Sequence, residues 1–140
     1  KVTRKTVWQV HCKTTIALMD QARRQGVDVK LDQYPYSASA TSLDSNAPLW
    51  AFEGGVESLL ARLRDPEIRK RINAEANASH VGRWGDIYIS YVESEKNRWT
   101  VGKSILEIAN IRGVDPADAC FDLILDERCR VEEINYGMFE

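Results

Sequence analysis

The sequence predicts a mixed fold, α/β or α+β, in one domain over residues 1–140. Three observations lead there. Helical and strand patterns alternate along the chain. Of the 140 residues, 44% are hydrophobic, enough for one globular core. Helix boundaries are also marked, by Asp-Pro at 65–66 and 115–116 and by Gly26 and Gly113.

Each element follows from its own pattern. "KTTIALMDQARRQG" (13–26) places Ile16, Met19 and Ala22 on one face with Leu18 beside them, and Gly26 supplies the stop of an amphipathic helix. "VDVKLDQY" (27–34) alternates Val27, Val29 and Leu31 and reads as a strand, which Pro35 ends because it cannot donate to a ladder. Residues 37–55, with Pro48 and Gly54-Gly55, read as irregular. Residues 56–78 read as two helices joined at Asp65-Pro66, an N-cap followed by proline in the first turn. "DIYISYV" (86–92) alternates as a strand. Residues 100–113 and 115–127 read as helices, and 131–136 as a final strand.

Composition narrows the function. A net charge of -2 argues against a nucleic-acid partner, which a basic face normally meets. The clusters Lys1–Lys5 and Arg62–Arg71 read as solvated surface, the second interrupted by Asp65 and Glu67. No apolar run approaches the ~20 residues of a membrane span, and the amino end lacks the apolar core of a secretory signal. No membrane partner is expected. Cys12, Cys120 and Cys129, three at irregular spacing, fit reduced thiols and a cytoplasmic location. The absence of a starting Met and the stop just after "INYGM" point to a piece of a longer protein.

Candidate chemistry is sparse. His11 and Cys12 are adjacent, so their side chains point apart on a helix or strand and do not make a base–nucleophile pair. Only His80 remains, and no C-x-x-C or H-x-x-x-H spacing gathers zinc ligands. "VGKS" (101–104) has Asn97 where a phosphate-binding loop needs its first glycine, so it reads as a helix start. Asp32 and Tyr34 lie at the carboxyl end of the expected strand, where α/β proteins place their chemistry. The hydroxyls of 37–42 follow. Two readings stand: Asp32 caps a turn while Tyr34 and Tyr36 fill the core, or these residues rim a site.

At this point longer motifs bear on the choice. "DQYPYSASATSL", "APLWAFEGG", "WTVGKSILEIANIRGVDPADACFDLILDE" and "INYGM" together resemble the D-aminoacylase family, the N-acyl-D-amino-acid deacylases of the amidohydrolase superfamily. The resemblance covers nearly the whole chain, in the family's order. It implies a partial segment of a zinc-dependent (β/α)8 barrel with a helical and strand insertion, too few strands to close a barrel. On that reading 1–43 holds a helix, barrel strand six and its loop, 44–100 is the insertion, and 101–140 holds two helices and barrel strand seven.

The family hydrolyses the amide of an N-acyl-D-amino acid, with zinc activating water and polarising the acyl carbonyl and an Asp moving the proton. This chain lacks the family's H-x-H element and metal-bridging Cys, and the catalytic Asp falls beyond Glu140. The resemblance therefore assigns no catalytic residue and leaves the metal ligands unknown. It implies substrate contact by Tyr34, Tyr36, Asn135 and Met138, with zinc in the parent family and none expected on this chain. An inactive deacylase fragment is the first expectation. A stand-alone binding or oligomeric assembly module of the same descent is the second. A site of its own around His11-Cys12 is a third and weaker one. An open strand at 27–33 would favour a homo-oligomer.

Overall fold

The computed structural model describes the backbone of residues 4–32 and 34–136, and the side chains of 12–32 and 34–136. The chain divides after Ser37 into two compact units. The first holds α1 (Arg4–Arg24), which starts ahead of the predicted Lys13. Its stop is the one expected. Gly26 has φ +86°, and the amides of Gly26 and Val27 donate to the Arg23 and Ala22 carbonyls at 3.0 and 3.1 Å, closing the helix end with a glycine in the left-handed region. Met19 and Ala22 are half-buried, whereas Ile16 and Leu18 are exposed.

The strand expected at 27–34 is a correction: residues 27–32 and 34–36 lie outside any strand. Alternation gives a segment two faces, but a ladder also needs a neighbour's N–H and C=O groups. Here the Arg23 guanidinium Nε donates to the Val29 carbonyl at 2.9 Å.

The second unit begins at Ala38. Its described elements are β1 (Ser39–Ser42), 3-10 turns at Leu43–Asn46 and Leu49–Phe52, α2 (Val56–Arg64), α3 (Pro66–Ser79), β2 (Ile87–Val92), a 3-10 turn at Glu95–Thr100, α4 (Ile105–Arg112), α5 (Pro116–Glu127) and β3 (Val131–Asn135). The sheet order is β1-β3-β2 and both ladders are antiparallel. The architecture is therefore α+β. β1 is a second departure, because "SATS" carries no alternation and becomes a strand by pairing with β3, Ser39 opposite Asn135 and Ser42 opposite Glu132.

Local chemistry fixes the helix starts. The Asp65 carboxylate accepts from the amides of Glu67 and Ile68 at 3.0 and 3.1 Å, with Pro66 where no amide is missed. Ser104 and Glu107 form a reciprocal capping box, which is what "VGKS" turns out to open. Asp115 accepts from Ala117 N–H at 2.9 Å. The core is built from Leu43, Leu59, Leu60, Leu63, Ile72, Ile87, Ile89, Ile105, Ile108, Phe121, Leu123, Ile124 and Val131. One sheet face, Ile87, Ile89, Val131 and Glu133, is buried, while Tyr88, Glu132 and Ile134 alternate to the other. A polar clamp joins α3 to α5: Arg69 donates to Asp118 at 3.1 Å and to Asp122 at 2.7 Å, and Asn73 donates to Asp118 at 2.6 Å.

Candidate functional site

In the first unit, Tyr34 and Tyr36 are brought together. Their rings meet edge to face with centroids 5.1 Å apart. They are 54% and 65% exposed, so neither fills the core of this chain. Asp32 is also exposed. Asn135 belongs to the second unit, half-buried at the end of β3 opposite Ser39 and Ile87. Met138 lies outside the described residues.

His80, Cys120 and Cys129 take structural positions. His80 ends α3, with Nδ1 2.9 Å from both the Ala76 carbonyl and the Ser79 hydroxyl, and its ring stacks on Trp84 at 4.6 Å. Cys12 is exposed on α1, and the His11 side chain lies outside the described residues. Cys120 is buried and Cys129 half-buried, and all three are free thiols. Burial pushes the Cys120 thiol well above its ordinary range and that of Cys129 to about 11, the nearby Asp44 carboxylate adding to the second. Among the described residues no three His, Cys, Asp or Glu side chains are placed to hold a metal ion such as zinc.

Two buried acids in the second unit were not singled out by the sequence. Glu127, at the end of α5, is 2% exposed. Burial pushes its carboxyl up, but hydrogen bonds from Ser94, Asn97 and the backbone outweigh this and hold it below the ordinary value. The donors are the Glu93 and Ser94 amides at 3.0 and 2.8 Å, Asn97 Nδ2 at 2.6 Å, and the Ser94 hydroxyl. Glu133 is different. It is 1% exposed on the core face of β3, between Thr41 and Ile89 on the flanking strands. Asn46 Nδ2 donates to its Oε2 at 2.5 Å and to the Leu43 carbonyl at 2.8 Å. Burial, with Asp44 adding like charge, raises its pKa to about 7 against the opposing Asn46 bond. The signal was the position itself: "VEEI" puts a second Glu where alternation calls for an apolar residue.

The outer sheet face carries open grooves. One, of about 730 Å³, runs past Tyr88, Val101, Ile134 and Tyr136. Tyr88 and Tyr136 meet edge to face there at 5.4 Å. The Tyr136 amide is tied to the Asp86 carbonyl at 2.9 Å. No described helix is long and apolar enough to cross a membrane.

No protein-family model matches the chain. No curated protein matches it either. Among solved structures, the chain is similar to N-acyl-D-glutamate deacylase from Bordetella bronchiseptica, a structure complexed with zinc and a phosphonate inhibitor that mimics the reaction's tetrahedral intermediate. The likeness covers 91% of this chain at 23% identity and a TM-score of 0.52. It takes in 19% of that protein's chain, so this chain spans about a fifth of its length. The two share a fold over that internal segment.

Proposed function

We propose that this chain is an internal segment of a zinc-dependent amidohydrolase acting on N-acyl-D-amino acids. The observation that carries the reading is the fold shared with a deacylase across nearly the whole chain, in a sequence whose motifs already resemble that family. On this reading 1–43 supplies barrel strand six and its loop; the strand of 101–140, expected as barrel strand seven, is instead the centre of the antiparallel sheet β1-β3-β2 and belongs with the insertion. Residues 27–34 would take their ladder from neighbouring barrel strands.

Tyr34 and Tyr36 would face substrate, and Asn135 and Met138 would line the pocket for the amino-acid side chain. The exposed tyrosine pair supports the first part. The chain alone is proposed to be inactive, since the metal ligands and the proton-moving Asp belong to other segments. A cytoplasmic location and a homo-oligomeric state belong to the same proposal.

A chimera tests it. This chain replaces the similar segment of the Bordetella enzyme, and hydrolysis of N-acetyl-D-glutamate is followed with added zinc. The expected result is a zinc-dependent hydrolase from the chimera and none from the chain alone. A folded chimera without activity would sink the reading, as would tight one-to-one zinc binding by the isolated chain in calorimetry. A stand-alone binding or assembly module is the second reading. It is favoured by one observation: the described core lies between Leu43 and Val131, within the second unit.

A further inference from the structure

The second unit is entered and left at one place. Ser39, which opens β1, is the ladder partner of Asn135, which closes β3. Its first and last paired residues therefore stand side by side, with Cα atoms about 5 Å apart as antiparallel partners require. The same end is tied twice more, by Ile87 opposite Asn135 and by the Tyr136 amide, which donates to the Asp86 carbonyl at 2.9 Å. We propose that residues 38–136 are an inserted module, closed on itself at this two-strand neck, which holds its fold as one body without help from residues 1–36.

Topology makes the closure. β1 and β3 pair across nearly the whole length of the unit, so their ladder forms only when everything between them has folded back. β3 is the central strand and is held on both edges, which leaves the neck anchored from inside the unit. The layers are also stitched internally. Trp50 Nε1 donates to Glu75 at 2.8 Å, Arg69 of α3 holds Asp118 and Asp122 of α5, and Arg128 beyond α5 reaches Glu57 of α2 at 2.5 Å. The described core runs from Leu43 to Val131 and draws no member from α1. In the first unit Ile16, Leu18, Val27 and Leu31 stay exposed and add nothing to it. A body with adjacent ends replaces a short turn in a host chain, because joining the host across it costs little loop entropy. If the deacylase reading holds, the insertion runs over 38–136 and not 44–100. If that reading fails, the neck stands unchanged, since it rests on the register alone.

The test uses the 140-residue chain with a recognition site for a sequence-specific protease placed between Tyr36 and Ser37. After cleavage the two pieces should separate on gel filtration. The slowest-exchanging amides of β3 and α5 should keep their protection to within about threefold of the uncut chain. Co-elution of the pieces overturns the module, as does a greater loss of protection. The neck is tested in the uncut chain carrying Cys12→Ser, with Ser39→Cys and Asn135→Cys in one variant and Ala40→Cys and Ile134→Cys in another. Both pairs are ladder partners, and both spacings of an antiparallel ladder lie within the reach of a disulfide. Mild oxidation should cross-link each pair within one molecule, read by mass spectrometry of the linked peptides. Failure of a folded variant to cross-link overturns the closed neck. Should one variant not fold, the other decides, and should neither fold, the cleavage result does.

Discussion

Glu127 gathers four hydrogen bonds from one loop. It sits at a helix C-terminus, where the helix dipole disfavours an anion, and it is buried. Its four donors come from the segment 93–97, so the carboxylate takes the part of a small anion gripped by backbone amides. Replacing it by Ala leaves those donors unsatisfied around a cavity. Glu127→Ala should cost about 3 kcal/mol or more, and Glu127→Gln somewhat less because one acceptor oxygen remains. Urea unfolding of both variants measures this. A loss under about 0.5 kcal/mol in Glu127→Ala would show that water replaces the carboxylate. At the same scale, Tyr34 and Tyr36 lie exposed with their rings in contact, which shows where they stand and not what they bind.

Caps decide the elements, and caps are local, which is why most helices were legible. Asp65-Pro66, Asp115-Pro116, Gly26 and Gly113 each act through atoms within a few residues, so their spacing in the sequence already contains the geometry. Asp65→Ala should therefore destabilise by about 1 kcal/mol, and Gly113→Ala, at φ +69°, by a similar amount despite open space around it. Thermal melts of the two variants check this, and Ser79→Ala, at the far end of α3, serves as the milder control. Strands were less legible because they are not local. Val27 to Tyr34 has the alternation of a strand but no ladder among the described residues, whereas Ser39–Ser42 has none and is paired. What separates them is the partner β3, ninety-odd positions away in chain order. A similar distance, 87 positions, hid the Asn46–Glu133 bond, which joins a stretch read as irregular to the final strand.

The acids combine into a pH profile for the molecule. Glu127 is held below its ordinary range by its hydrogen bonds against burial, Glu75 by the Trp50 indole N–H and Arg71, and Glu107 by Ser104. Groups lowered in this way contribute stability that is present above their unfolded value of 4.5 and is lost as pH falls through their folded values. Glu133 runs the other way. Its folded value near 7 exceeds 4.5, so the native state binds the extra proton and stability declines as pH rises from 4.5 towards 7, then levels off. At about 1.4 kcal/mol per unit, that decline is on the order of 3 kcal/mol, a large fraction of a small domain's margin. Stability should then peak near pH 5, on the acid side of the usual range. Denaturant unfolding from pH 3 to 9 measures the curve. Glu133→Gln should remove the decline above pH 5 and leave the acid limb, while Glu127→Gln should shrink the acid limb and leave the decline. If the wild-type curve instead rises steadily from pH 5 to 7, the buried carboxyl of Glu133 is ionised in the folded protein, and a counter-charge or solvent must reach it from outside the groups that surround it here.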